Sequence, residues 1–139
     1  MKKITLAAFD NSFLETIKDY KKIHLNPDEG TFYTVTVDGA RAGVIGFKIK
    51  KDGNPRLKIG VHQDFRGQGV FEKALELLAK KHKLDKIYSE VAKANIASVK
   101  SHEKVGFKRI SKKKEDLMKE EGLIYKRNVL LIKNFQSPD

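Results

Sequence analysis

Leu57-Lys58-Ile59-Gly60-Val61-His62-Gln63-Asp64-Phe65-Arg66-Gly67-Gln68-Gly69-Val70-Phe71-Glu72 is the stretch on which the fold turns. Leu57 to Val61 has the composition of a short strand, and Phe71, Ala74, Leu75 and Leu78 then recur at helical spacing. Between them, Arg66-Gly67-Gln68-Gly69 puts two glycines where strand gives way to helix. In that context the backbone N–H groups of a helix N-terminus converge on phosphate oxygens, and a side chain would hold the backbone away from the ligand. The same glycines also suit an ordinary tight turn, so the loop alone leaves both readings open.

Upstream, Ile4 to Ala8 reads as a strand, and Ser12 with Glu15 as a capping box opening a helix that presents Phe13, Leu14, Ile17 and Tyr20. Phe32 to Val37, the Asp38-Gly39 turn and Gly43 to Lys50 read as an antiparallel hairpin. Downstream, Lys86 to Ala92 is a strand and Ile96 to Val105 a helix closed by Gly106, while Phe107 to Ile110 and Leu123 to Ile132 read as final strands. Lys112 to Glu121 reads as a charged connection without apolar periodicity, in which Leu117 and Met118 form at most a short helical turn. A hairpin, a strand-helix-strand-helix middle and a terminal strand pair predict an α/β class with a mixed sheet.

The chain has 139 residues, 40% hydrophobic and 34% charged, which predicts one globular domain over residues 1–139. Its longest apolar runs, such as Val129 to Ile132, fall far short of the roughly 20 residues a membrane span needs. Lys2 and Lys3 precede a short apolar stretch that Asp10 interrupts, so no secretion signal and a cytoplasmic location are expected. The absence of cysteine excludes disulfides, thiolate metal sites and a cysteine nucleophile. The four histidines lack ligand spacing, and no metal is expected. Twenty-nine Lys and Arg against eighteen Asp and Glu give a formal charge of +11, which suits a phosphate-bearing partner and equally a soluble basic surface.

A second motif, Asn95-Ile96-Ala97-Ser98-Val99-Lys100-Ser101-His102-Glu103-Lys104-Val105-Gly106-Phe107, follows a strand and ends a helix with glycine and an aromatic. Together with the glycine loop it resembles the GNAT superfamily of acetyl-CoA-dependent N-acetyltransferases. The likeness is close from Ala42 to Ile110: in that family an R-x-x-G-x-G/A loop precedes an N-x-x-[AS] helix that closes in E-K-x-G-F, and Arg66 to Phe71 and Asn95 to Phe107 stand at those places. It implies a mostly antiparallel central sheet flanked by helices, with a V-shaped split between Leu57 to Val61 and Lys86 to Ala92. It implies acetyl-CoA as co-substrate, with the pantetheine arm held by the backbone of Ile59, Gly60 and Val61. The amides of Gly67, Gln68, Gly69, Val70, Phe71 and Glu72 would hold the pyrophosphate, and Arg66 would add charge. Asn95 would bond the pantetheine or simply cap its helix. Two residues depart from the family pattern: Phe71 stands where glycine or alanine is usual, facing either core or cofactor, and His102 stands where tyrosine is commoner.

Amine acetylation needs a neutral nitrogen, an oxyanion donor and a proton for the leaving thiolate. Without cysteine, direct attack in a ternary complex is expected over a covalent acetyl-enzyme. Glu90, five residues before Asn95, resembles a glutamate base used by protein-acetylating members; its alternative is a structural carboxylate. His102 occupies the position of the family's proton-donating tyrosine and could serve as acid or base; its alternative is a plain surface histidine. His62, Tyr33, Tyr88 and Tyr125 have no motif behind them. The acceptor is expected to be a protein amine or a small molecule, and the protein a monomer or homodimer. The competing functions are a catalytically silent CoA-binding regulatory module and, less favoured, a basic nucleic-acid-binding protein. The latter lacks spaced aromatics for base stacking.

Overall fold

The computed structural model describes residues 2–135. They form two compact units, residues 2–48 with 57–84 and residues 49–56 with 85–135.

In the first unit, β1 (Ile4–Ala8) pairs antiparallel with β2 (Thr31–Val37), Ile4 opposite Val37 and Ala8 opposite Tyr33. Strand β2 turns back into β3 (Ala40–Ile49) through Asp38 and Gly39, both at positive φ (50° and 85°), as a tight hairpin turn matching strand twist requires. The expected Ser12–Glu15 capping box does not form. Asp10 is the N-cap instead, its carboxylate accepting from the amides of Ser12 and Phe13 at 3.0 and 3.4 Å. Helix α1 (Asn11–Leu14) then stops at one turn: the Thr16 hydroxyl donates to the Phe13 carbonyl, and Asp19 takes φ 63° ahead of a 3-10 turn over Tyr20–Ile23. Phe13, Leu14 and Ile17 are nevertheless buried against Val44, with Phe9, Tyr20, Ile23 and Leu25 around them. Strand β4 (Pro55–Val61) runs through a 3-10 turn at Gln63–Phe65 into α2 (Val70–His82), which buries Val70, Ala74, Leu75, Leu78 and Ala79.

In the second unit, β5 (Lys86–Ala92) lies antiparallel to β7 (Asn128–Asn134), from Lys86 opposite Asn134 to Ala92 opposite Asn128. Strand β6 is only Lys108–Arg109, shorter than expected, and pairs with Ile132 and Leu131 of β7. Between β5 and β6 lies α3 (Ile96–Lys104). The expected charged connection is a helix, α4 (Lys112–Glu120), capped by the Ser111 hydroxyl accepting from the Lys114 amide at 3.2 Å. Its buried positions are Glu115 and Met118, one turn apart, so the inward face carries a carboxylate that an apolar pattern cannot register. Consequently β7 starts at Asn128, not at Leu123, and Leu123 and Ile124 join Tyr88, Met118, Leu130, Ile110 and Ile132 in a hydrophobic cluster.

The strands form one seven-stranded sheet in the order β1-β2-β3-β4-β5-β7-β6, in which Arg56 of β4 stands opposite Tyr88 of β5 in a parallel pairing. The fold class is therefore α/β with a mostly antiparallel open sheet flanked by helices. No helix among the described residues is long and apolar enough to cross a membrane.

Candidate active site

Close packing shapes the strand that leads into the glycine loop. A Cβ on Gly43 would stand 2.6 Å from the carbonyl oxygen of Gly60, and one on Gly60 would meet Ile23 Cδ1 at 2.3 Å. A side chain at Gly43 would force β3 and β4 apart, because it meets backbone, whereas one at Gly60 would displace the end of the Ile23 side chain. The loop glycines are needed for a different reason. A Cβ on Gly67 or Gly69 would meet nothing within 4 Å, yet both residues sit at positive φ, 78° and 75°, which L side chains rarely adopt.

Gly69 is the N-cap of α2 and gives its first turn no side-chain acceptor. The first amides of a helix have no intrahelical partner, so this end presents N–H donors at the positive end of the helix dipole. Arg66 is exposed but anchored: Nε donates to the Val61 carbonyl at 3.0 Å and Nη2 to the Lys18 carbonyl at 3.4 Å. Gln68 accepts from the Lys2 ammonium and donates from Nε2 to the Asp64 carbonyl at 3.2 Å. Val70 enters the core at 2% exposure, while the departure from the family pattern, Phe71, is half-buried. His62 accepts at Nδ1 from the Asp64 amide (3.1 Å) and stacks on Phe13, and Tyr33 bonds His82, so both have structural partners. Tyr88 belongs to the hydrophobic cluster, and Tyr125 is exposed beside Arg127.

The remaining candidates lie in the second unit. Asn95 is the N-cap of α3, with its side-chain oxygen accepting from the Ser98 amide at 3.2 Å. Glu90 Oε1 accepts from Arg56 Nη1 at 2.7 Å, and Oε2 accepts from the Tyr125 amide at 3.1 Å and Asn128 Nδ2 at 2.5 Å. Three donors thus occupy most of the roughly four acceptor positions of a carboxylate. Arg56 is 2% exposed, and among the described residues its buried Nε has no hydrogen-bond partner. His102 is buried, with Nδ1 at 2.7 Å from the Ser98 carbonyl and Nε2 at 2.8 Å from Ser89 Oγ. A carbonyl only accepts, so Nδ1 carries the proton and Ser89 donates to Nε2. Burial pushes the His102 pKa down, against an opposing pull from the Ser98 carbonyl. The imidazole is accordingly neutral at pH 7, with an acceptor nitrogen already bonded.

Sequence reasoning missed Arg56, Ser89 and Glu115. Arg56 meets Glu90 through the pairing of β4 with β5, and Ser89 meets His102 where α3 packs on β5, so neither is visible from sequence spacing. Glu115, 1% exposed, accepts from Arg109 Nη2 at 2.7 Å and Nε at 3.1 Å, and from Lys119 at 3.3 Å. Arg109 holds its carboxyl below the ordinary value, against the cost of burial. The Glu115 and Lys119 spacing was the available signal. Among the described residues there is no cluster of histidines and carboxylates able to hold a metal ion.

A family model described as the acetyltransferase (GNAT) family matches residues 2–107. The chain belongs to the GNAT acetyltransferase family. No curated protein sequence matches it. Among solved structures, a Bacillus subtilis acetyltransferase in complex with CoA is similar at TM-score 0.66 and 19% identity, covering 98% of this chain and 100% of that one. The GNAT domain of S. lividans PAT is similar at TM-score 0.69 and 15% identity, with 96% and 90% covered. The ribosomal-protein-S18-alanine N-acetyltransferase of Escherichia coli is similar at TM-score 0.61 and 16% identity, with 100% and 97% covered. At these identities the likeness is one of fold.

Proposed function

We propose that this protein transfers an acetyl group from acetyl-CoA to a primary amine. The observation that carries the reading is the α2 N-terminus, whose N-cap Gly69 supplies no capping side chain and which is led by Gly67 and Gly69 at positive φ with Arg66 anchored beside them. Such an end offers amides and positive charge to a pyrophosphate, and the Bacillus subtilis relative was solved with CoA. The backbone of Ile59, Gly60 and Val61 would hold the pantetheine arm, and Asn95 keeps its amide N–H groups as donors for such a ligand.

In the proposed reaction the lone pair of the neutral amine attacks the thioester carbonyl carbon. The oxyanion is stabilised by a backbone N–H, for which Val61 is the candidate. The C–S bond then breaks, leaving an amide and the CoA thiolate, while the nitrogen loses its proton. The geometry favours His102 over Glu90 as the group that takes this proton, through the Ser89 hydroxyl on Nε2. Glu90 is assigned instead to holding the backbone at Tyr125 through its bond with Arg56. The acceptor is proposed to be a protein amine on an acidic partner, because the segment from Lys100 to Arg127 carries ten basic against five acidic residues.

A silent CoA-binding module is the second reading, favoured by the full bonding of both Glu90 and His102. Thiol release from acetyl-CoA across a panel of amines decides between the two. Release that depends on an amine supports catalysis; CoA binding without release supports the silent module.

A further inference from the structure

Beside α3, wholly within the second unit, lies an open groove of about 270 Å³ that contains none of the residues assigned above to acetyl-CoA or to proton transfer. Its floor is aliphatic: Ile96 and Val99 from α3, and Val129 and Leu131 from β7. Val129 and Leu131, 2% and 1% exposed, close the base of the groove, and the apolar surface open to a ligand is that of Ile96, 63% exposed, with half-buried Val99 beside it. A single exposed isoleucine means little. Here, however, it continues an apolar surface whose rim is charged by Lys93, Lys100 and Arg109 against Glu103. Arg109 is committed to Glu115, but among the described residues neither Lys93 nor Lys100 takes part in an ion pair.

We propose that this groove docks an acidic, amphipathic segment of a partner protein, its apolar side chains on the aliphatic floor and its carboxylates on Lys93 and Lys100. Two observations favour a peptide over nucleic acid. No aromatic ring lines the groove to stack a base, and Glu103 repels a continuous run of phosphates. A peptide with alternating character satisfies both floor and rim, because apolar anchors supply affinity and rim charges supply selectivity. The inference concerns binding and stands whether or not the protein transfers acetyl groups.

The test is fluorescence anisotropy of the full chain with a labelled peptide of alternating leucine and glutamate. An all-glutamate peptide and labelled oligothymidylate serve as comparisons. The leucine-glutamate peptide should saturate and bind more tightly than either. The double variant Lys93→Glu/Lys100→Glu and the single variant Ile96→Asn should each weaken it by about tenfold or more. These three side chains are exposed, so unchanged thermal unfolding of the variants is expected and confirms that the loss is local. Absence of saturable binding, affinity unchanged in the variants, or tighter binding of oligothymidylate would each overturn the proposal.

Discussion

Gly69 joins conformation and chemistry in one residue. Its φ of 75° makes any side chain there strained, by roughly 1–2 kcal/mol, and its position as the α2 N-cap puts such a side chain beside the proposed pyrophosphate. Gly69→Ala is expected to lower stability by about 1 kcal/mol. Gly69→Glu adds a negative charge at the same place and is expected to abolish CoA binding while the chain remains folded; circular dichroism and calorimetry measure the two effects separately. His102 supports a prediction of a different kind. Its pKa is depressed, so the folded form resists protonation while the unfolded chain takes up a proton near the ordinary value of 6.5. The stability it contributes is complete above that value and is lost as pH falls through the folded one. Turnover should follow the same direction, holding at neutral pH and falling on the acid side. His102→Ala should slow acetyl transfer while cofactor affinity stays within a few fold. A variant with wild-type turnover would remove His102 from the mechanism.

At the scale of elements, α4 and the chain that follows it depend on buried charge. Replacing Glu115 by glutamine keeps its shape but removes the negative charge and one of the two oxygens that accept from Arg109. Because Arg109 is 47% exposed, the stranded guanidinium reaches water, and the expected loss is about 1–3 kcal/mol, not the full penalty of a buried orphan charge. Since the Glu115 carboxyl is held below its ordinary 4.5, its contribution is present above that pH and is lost as pH falls through the folded value. Acid unfolding of Glu115→Gln should therefore show a smaller pH-dependent loss below about 4.5 than that of the wild type. The bond between Arg56 and Glu90 has a similar place in β4 and β5. Arg56→Met should speed amide hydrogen exchange around Tyr125, whose N–H rests on Glu90.

These same elements mark where sequence reading succeeded and where it stopped. Strands β1 and β5 were legible to the residue, because short apolar runs bounded by turn residues have few alternatives. The loop into α2 was legible because glycine at positive φ leaves a compositional trace. Helix α4 was hidden, since one of its two buried positions is a glutamate whose arginine partner lies outside the helix. The Ser12–Glu15 pattern misled because Asp10, two residues earlier, competes for the same amides and wins with a carboxylate. For Glu90 and His102 the sequence supplied position but not partners: Arg56 and Ser89 meet them only through strand pairing and helix packing.

Over the whole molecule the charge of +11 sets expectations about the acceptor. A basic surface repels polycations and attracts acidic macromolecules. Spermine and lysine-rich tails should therefore be poor acceptors. An acidic protein acceptor should lose kcat/KM as salt rises, because the Debye length shrinks from about 10 Å at 0.1 M towards about 3 Å at 1 M. Efficient acetylation of spermine at low salt would contradict this. The family match ends at residue 107, so β6, α4 and β7 are where this chain goes beyond the matched pattern. Glu115 and half of the floor of the proposed docking groove lie there.

Binding of the acetyl-CoA pyrophosphate by the loop entering α2 is measured by titration calorimetry of acetyl-CoA into the wild type and into Gly69→Glu. One saturable site of micromolar affinity is expected in the wild type and none in the folded variant. Absence of binding heat in the wild type, or equal affinity in both proteins, would contradict it.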